Sequence, residues 1–259
     1  MNYRYIILYA GCSRYNSGFG GEFDRKFNYN TWFVSNYLSW HVRKLHLLSD
    51  GPYNMFYCNI SNGEESVKVT STASLEVTIH VEKDEIENYL NYSSERERYE
   101  YYLSLLERGY KLASAYHDIP ILDFLRLHQE FRDGDYKNER LFKKKQLRDY
   151  GIVIVLNHVL TSYSYNLRLS VYDLHKNLLG SDSVYETFPD DVFFNKNVRN
   201  LIIDKEKIII TDFLDKPQFV CSLNDLSKGI IKSVCVDENT KKYIPNEQNM
   251  AEFERLKWQ

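Results

Sequence analysis

Residues 82–132, EKDEIENYLNYSSERERYEYYLSLLERGYKLASAYHDIPILDFLRLHQEFR, form the longest stretch of this chain with a helical period. Ser94 is followed three residues later by Glu97, which is the capping-box pattern at the start of a helix. Apolar positions then recur every three or four residues along one side: Tyr99, Leu103, Leu106, Tyr110 and Ala113. This spacing predicts an amphipathic helix that begins after Ser94.

A shorter helix is predicted on each side of the long one. Upstream, Asp84 is expected to cap a helix. Downstream, Asp118 is expected to cap another, with Pro120 in its first turn, where no amide hydrogen is needed, and Gly134 as its stop. The expected buried positions are Ile86, Tyr89 and Leu90 in the upstream helix and Leu122, Leu125 and Phe131 in the downstream helix.

The sequence before residue 82 is mostly strand-like. Successive strands are predicted over residues 3–10, 53–60, 66–71 and 74–81. Asn62-Gly63 is a dipeptide typical of hairpin turns and is expected to join the second and third strands. Residues 74–81 alternate apolar and polar side chains, which predicts an antiparallel strand with one face in water.

Residues 11–30 contain glycines at positions 11, 18, 20 and 21 and are expected to form a long loop. Bare backbone amides in Gly18-Phe19-Gly20-Gly21 are suited to an anion-binding nest. No Lys-Ser/Thr pair follows them, however, and no dinucleotide-binding glycine pattern is complete, so turns are the preferred interpretation. Residues 31–48 are expected to form a helix that ends before Asp50-Gly51-Pro52.

The sequence after residue 135 is first basic and then rich in β-strands. Residues 136–148 hold six Lys and Arg side chains against one Glu. We expect a solvated connector or helix face there, with contact to a phosphate backbone as the alternative. Strands are predicted over residues 152–156, 165–172, 183–187, 201–203, 207–211 and 218–222, and a closing helix over residues 246–258.

These elements predict an α+β fold with antiparallel β-sheet regions flanking a central group of helices. We predict an N-terminal α+β region over residues 1–135, with an antiparallel sheet and the central helices. A β-rich C-terminal region with the closing helix follows over residues 136–259. The alternative is that both regions share one hydrophobic core.

Composition excludes several classes of protein. The chain has 259 residues, 43% of them hydrophobic and 27% charged, which is typical of a folded globular protein. Its net charge of −3 gives no global attraction to nucleic acid or to an anionic membrane. No apolar run approaches the roughly 20 residues of a membrane helix. We therefore expect no membrane contact and no nucleic-acid partner.

The cysteines indicate a reducing compartment. The four of them are far apart and show neither zinc spacing nor a disulfide framework: Cys12, Cys58, Cys221 and Cys235. A cytoplasmic location is therefore expected. The segment before Cys12 faintly resembles a bacterial lipoprotein cleavage site, but its apolar run is shorter than the roughly 7–15 residues of a signal core. Residues 3–10 are instead interpreted as a strand.

No motif in the chain points to catalysis. The seven histidines form no metal-binding pattern, and no Ser or Cys lies in a nucleophile signature. We therefore assign no catalytic residue, no metal ligand and no cofactor, and predict that the protein is not an enzyme. The alternative is an enzyme or nucleic-acid-processing protein with a site near His117 and His128. In that alternative, His41, Asp118 and the lysines at 143–145 would gather around one pocket.

The segment from residue 82 to residue 100 is acidic and contains tyrosines. It holds seven acidic residues against three basic ones. Acidic first turns of helices explain this without a function. The functional interpretation is a surface for a basic protein partner, steered by charge and anchored by aromatic rings. The residues predicted to contact the partner are Asp84, Glu85, Glu87, Tyr89, Tyr92 and Glu95.

The 22 tyrosines of the chain also allow two interpretations, a compositional bias or a surface that favours protein contacts. An α+β chain that is rich in Tyr and Asn, with acidic patches and no catalytic motif, resembles the cytosolic immunity proteins of bacterial polymorphic toxin systems. The resemblance is one of overall character and transfers no residue. It implies a stoichiometric inhibitor that binds a cognate toxin domain and covers its active site or substrate groove. A carbohydrate-binding β module that uses Trp32 or Trp40 is a third hypothesis.

Overall fold

The computed structural model of the chain describes residues 1–11, 17–189 and 191–241, with the backbone alone for residues 191–193. The predicted closing helix over residues 246–258 lies outside these residues, and so does Cys12. The predicted α+β class is confirmed, because helices and antiparallel-rich sheets both contribute extensively to the fold. The chain divides into two compact units, a first unit over residues 1–137 and a second unit from Asn138 onward.

In its described residues, the first unit has four helices and one mixed sheet, so the antiparallel sheet predicted for residues 1–135 is wrong. Its elements in chain order are β1 (Tyr5–Ala10), α1 (Gly21–Leu45), β2 (Met55–Ser61), β3 (Ser66–Val69), β4 (Ser74–His80), α2 (Lys83–Leu90), α3 (Glu95–Ala113) and α4 (Ile121–Asp133). The strand order is β1-β2-β4-β3. Strands β1, β2 and β4 are parallel, and only β3 is antiparallel to its neighbour β4.

The hairpin predicted at Asn62-Gly63 is wrong, because β2 and β3 are not paired. Strand β2 is mostly buried and has β1 and β4 on its two sides, so it is a central strand. Strand β3 is mostly exposed and occupies the sheet edge, where it pairs with β4. Parallel neighbours need a long crossover connection, and helix α1 provides it between β1 and β2.

Helix α1 begins at Gly21, so residues 21–30 are helical and not part of the predicted loop. Its buried side is partly polar and hydrogen-bonds the outer edge of strand β1. The backbone amides of Ile6, Leu8 and Ala10 donate to Ser39, Ser35 and Asn28, respectively. These side chains lie on one side of the helix and satisfy the edge amides that a further strand would otherwise bind.

Helix α3 begins where the sequence predicted. Ser94 and Glu97 form the complete capping box, and Leu103, Leu106, Tyr110 and Ala113 are buried. The two predicted flanking caps are wrong. Neither Asp84 nor Asp118 caps its helix, since α2 starts after Glu82 and α4 starts after Pro120, both without a side-chain cap.

The predicted buried side of α4 is correct at Phe131 and wrong at Leu122. Phe131 is buried, Leu125 is half-buried and Leu122 is 83% exposed. The residues that pack inward are Phe124, Leu127, His128 and Phe131. They do so because Phe131 contacts Phe33 and Tyr37 of α1, and Phe124 contacts Tyr3 and Tyr110. Tyrosine rings supply much of this core, with five rings fully buried: Tyr3, Tyr53, Tyr89, Tyr102 and Tyr110.

The second unit contains two antiparallel sheets. Its strands are β5 (Asn138–Leu147), β6 (Ile152–Leu160), β7 (Tyr165–Asp173), β8 (Leu178–Thr187), β9 (Asn200–Asp204), β10 (Lys207–Thr211), β11 (Pro217–Ser222) and β12 (Val234–Cys235). Its short helices are a 3₁₀ turn at Arg148–Tyr150, α5 (Asp191–Asn197), α6 (Leu223–Leu226) and α7 (Glu238–Lys241). The sheet orders are β5-β6-β7-β8 and β12-β11-β10-β9.

The basic run is a strand, not the predicted connector or helix face. Residues 138–147 form the edge strand β5, which pairs with β6 along its full length. Its lysines at 144 and 145 remain exposed. Charged side chains are a common protection of sheet edges against unwanted pairing, which accounts for their density here.

Candidate functional site

The predicted partner-contact residues fall on helix α2 and the first turn of α3. Asp84 and Glu87 are exposed and three residues apart, so they share one side of α2. Glu85 is half-buried and accepts a hydrogen bond of 2.7 Å from Arg108 Nη1 on α3. Glu95 is exposed in the first turn of α3. The structure therefore keeps four of the predicted carboxylates on or near the surface.

Tyr89, which was also predicted to contact the partner, lies in the core and not on this surface. Its side chain is 0% exposed, and its ring stacks on Tyr101 with centroids 5.0 Å apart. Its hydroxyl is 2.7 Å from the hydroxyl of Tyr102. Burial raises the pKa of Tyr89 well above its ordinary value. The residue holds α2 against α1 and α3.

Tyr92 remains partly accessible at the margin of a shallow groove. Its ring meets the edges of Tyr89 and Tyr101, with centroids 6.0 Å away in both cases. The groove has a volume of about 570 Å³ and is lined by Tyr92, Ser94, Arg96, Glu97, Glu100, Tyr101 and Ser104. An aromatic ring beside mixed charges is the type of surface that accommodates a protein side chain.

The acidic surface continues beyond α2 to the end of strand β4. His80, the last residue of β4, places Nδ1 2.8 Å from the Gly63 carbonyl and Nε2 3.1 Å from Glu82. The Gly63 carbonyl and the Glu82 carboxylate raise the pKa of His80 above its ordinary value. Arg108 donates both to the His80 carbonyl and to Glu85, which ties α2 to this strand end.

A second concavity of about 460 Å³ lies on the same side and is lined by Asn62, Gly63, Glu64, Glu65 and His80. We call the carboxylates that run from this concavity onto α2 the acidic face: Glu64, Glu65, Glu82, Asp84, Glu85 and Glu87. The first two were missed by sequence reasoning, because their place beside His80 depends on β2 and β4 being neighbours. The face lies at the carboxyl ends of β2 and β4, the edge of a parallel sheet where ligands commonly bind.

The glycine-containing loop is held against this edge by internal contacts. The Ser17 backbone amide and hydroxyl both donate to Asp24, in the first turn of α1. The Asn62 amide donates to the Ser17 carbonyl over 3.0 Å. A carboxylate of the chain itself thus occupies the donors of Ser17, and Gly20, at φ 105°, leads into the helix. Within residues 18–21, the Phe19 amide donates to Ser17 Oγ over 3.1 Å, so this amide of the considered anion nest is already bound.

The histidines of the alternative site have separate partners. His117 Nδ1 is 3.3 Å from both carboxylate oxygens of Asp50, which also accepts from the Asp118 amide. His128 is fully buried, with Nδ1 3.2 Å from Glu107 and Nε2 3.2 Å from the Tyr110 hydroxyl. Burial lowers the pKa of His128 despite the neighbouring Glu107 carboxylate.

His41 stacks on Tyr37 at 4.2 Å, and the lysines at 143–145 belong to the second unit. Across the described ranges, no three His, Cys, Asp or Glu side chains gather as a metal-binding group.

An ion network between α3 and α4 lies beneath the groove. Arg132 Nε is 3.0 Å from Glu100, and its Nη2 is 3.3 Å from Glu107. The Tyr136 hydroxyl donates to Glu100 as well. Burial alone would raise the pKa of Glu100, but the hydrogen bonds from Arg132 and Tyr136 outweigh it and leave that pKa below its ordinary value. These contacts hold the Glu100 carboxylate at the groove wall in its charged form and in one position.

None of the helices in the described ranges combines the length and the apolar character needed to cross a membrane. The comparison with protein families found no match, and the comparisons with curated proteins and with solved structures found none either.

Proposed function

We propose that the protein is a stoichiometric cytoplasmic inhibitor that binds a cognate bacterial protein toxin through the acidic face. The observation that carries the proposal is the run of six carboxylates from Glu64 to Glu87 along one side of the first unit. A basic substrate groove, such as that of a toxin acting on nucleic acid, is complementary to this surface. Binding there would cover the groove and exclude the substrate.

The distribution of charge along the chain supports this choice of surface. Residues 1–137 contain 19 acidic and 15 basic side chains, whereas residues 138–259 contain 17 acidic and 18 basic ones. The negative charge of the protein therefore belongs to the first unit. A surface with a net negative charge increases the association rate of an oppositely charged partner.

The acidic face is also fixed before any partner arrives. Arg108 joins Glu85 to the His80 carbonyl, and His80 in turn contacts Glu82. Tyr89 anchors the underside of α2 in the core. Side chains that are already ordered lose less conformational entropy on binding, which favours tight inhibition.

The proposal is tested first by purifying the protein with its bound molecules from its own cells, at low and at high salt. We expect one stoichiometric protein partner that is released as salt screens the exposed carboxylates. Recovery of nucleic acid in place of a protein partner would contradict the proposal and favour the alternative of a nucleic-acid-processing protein.

The acidic face is then tested by reversing the charge of Asp84 and Glu87 together. The Asp84→Lys/Glu87→Lys variant should bind the captured partner at least about tenfold more weakly, with the loss mainly in the association rate at low salt. The matched control is Asp133→Lys/Asp149→Lys, since both of these residues are exposed and the net charge changes equally. Equal binding by both variants would place the contact elsewhere.

A further inference from the structure

Strand β9 is an edge strand of its sheet. Its central side chains are aliphatic, whereas edge strands usually carry charged residues, prolines or bulges that prevent further pairing. It reads Asn200-Leu-Ile-Ile-Asp204, and its Ile202 and Ile203 are 42% and 40% exposed. Among the described residues, β10 is its one strand neighbour. An open aliphatic edge offers both unpaired backbone groups and apolar side chains to another strand.

Three other edge strands of this chain are protected. The β1 edge is covered by the side chains of Asn28, Ser35 and Ser39. Strand β5 carries three consecutive lysines, and β12 has only two residues. Strand β8, like β9, keeps apolar side chains exposed, at Leu178 and Leu179. Within the described second unit, no side-chain hydrogen bond covers the backbone of residues 201–203, so β9 lacks the protection of β1, β5 and β12.

An aliphatic row crosses the exposed face of the same sheet and ends at β9. Strand pairing sets Ile202 beside Ile209, Ile209 beside Val220, and Val220 beside Val234. None of these four side chains is buried, whereas Ile208 and Ile210 point to the buried face. A strand added next to β9 would extend the row and remove Ile202 from water.

We propose that two copies of this chain form a symmetric dimer by antiparallel pairing of their β9 strands. The strand is self-complementary about Ile202. In that register Ile202 faces Ile202 of the partner subunit, and Leu201 faces Ile203 of the partner subunit. Asn200 faces Asp204 of the partner subunit; its amide donates one hydrogen to Asp215 over 2.8 Å and has its second hydrogen for that carboxylate. The two sheets become one eight-stranded sheet, which is an isologous contact with twofold symmetry.

The inference is independent of the proposed function, because its residues lie in the second unit and the acidic face lies in the first. Its response to salt also differs. Apolar burial and backbone pairing are not screened by salt, so the dimer persists under conditions that release a charge-bound partner.

The register is tested by placing one cysteine at the proposed axis. Directly opposed residues of antiparallel strands have Cα atoms about 4.5–5.5 Å apart, within the range of a disulfide. Ile202→Cys should therefore give a covalent dimer on mild oxidation. The matched control is Val234→Cys, on the same aliphatic row but at the opposite sheet edge and 60% exposed. The unaltered chain controls for the native cysteines.

A second measurement is the mass of the protein in solution by light scattering over a concentration series. The unaltered chain should be a dimer, Ile202→Lys should raise the dimer dissociation constant at least about tenfold, and Val234→Lys should leave it unchanged. A monomer at every concentration up to the solubility limit would overturn the proposal. Cross-linking of Val234→Cys as fast as Ile202→Cys would overturn it too.

Discussion

His158 lies on the inner face of the β5–β8 sheet, beside Arg140 and Tyr165. Arg140 can only donate, and its Nη2 lies 3.0 Å from the Tyr165 hydroxyl oxygen. The same hydroxyl lies 3.0 Å from His158 Nδ1. His158 Nε2 is buried without a hydrogen-bond partner among the described residues. Burial, and next the Arg140 charge, lowers the pKa of His158 to about 4.

Because the pKa of His158 is lowered, the free energy of unfolding decreases as the pH falls. Below pH 6.5 the unfolded chain protonates His158, whereas the folded chain keeps it neutral down to about pH 4. The stabilisation is thus present above pH 6.5 and is lost as the pH falls through that window. Between pH 7 and pH 5 the loss from this residue is about 2 kcal/mol.

The measurement is urea unfolding at both pH values, where His158→Gln should remove about 2 kcal/mol of the wild-type difference. His175→Gln, at an exposed histidine, should leave that difference unchanged.

The contact between α1 and β1 shows at the scale of elements why part of the fold was predictable and part was not. The capping box at Ser94 identified α3, because its two residue types act through local backbone bonds. The predicted start of helix α1 was ten residues too late, because the glycines at 18, 20 and 21 favoured a loop over residues 11–30. The hydrogen bonds of Ser35 and Ser39 join residues distant in sequence, so no local pattern reveals them. The parallel order β1-β2-β4 depends on the same long-range packing.

The Ser35 and Ser39 hydroxyls should each be needed for stability. Ser39→Ala leaves the buried amide of Ile6 without an acceptor, which should cost about 1–3 kcal/mol in the free energy of unfolding. The same holds for Ser35→Ala and the amide of Leu8. The control is Ser104→Ala on α3, an exposed serine whose loss should be nearly neutral. Equal, small effects at all three positions would show that the contact with β1 contributes little.

Gly109 sets how closely α3 approaches β2. A Cβ at this position would lie 2.7 Å from Cys58 Sγ, too close for a real contact. Alanine is favoured over glycine inside a helix by about 1 kcal/mol, but the overlap with the buried sulfur should reverse that gain. Gly109→Ala should therefore lower the free energy of unfolding by about 1–3 kcal/mol.

The Cys58→Ala/Gly109→Ala double variant tests this cause. It should recover stability relative to the sum of the two single changes, since it removes the overlapping atom. Strict additivity would show that the two positions do not meet in the folded chain.

The sequence predicted which acidic side chains are exposed better than it predicted which side chains pack against each other. Asp84 and Glu87 were expected at the surface and are exposed there. Tyr89 was expected to contact a partner, although the helical period had also placed it with Ile86 on the apolar side of α2. It is buried instead, since a ring on α2 with aromatic neighbours such as Phe27 on α1 and Tyr101 on α3 is more stable in the core. Glu64 and Glu65 joined the acidic face only through the strand order.

The division into two units predicts that residues 1–137 fold alone. Every strand pairing of the first sheet lies within this range, and so do helices α1–α4. A chain of this length can bury a sufficient core by itself. We expect the 1–137 fragment to unfold cooperatively in urea, with one transition by circular dichroism and by tyrosine fluorescence. It should bind the captured partner as the full chain does, since it retains the acidic face. It should also be monomeric, since it lacks β9. A fragment without cooperative unfolding would show that the two regions share one core, which was the alternative allowed by the sequence.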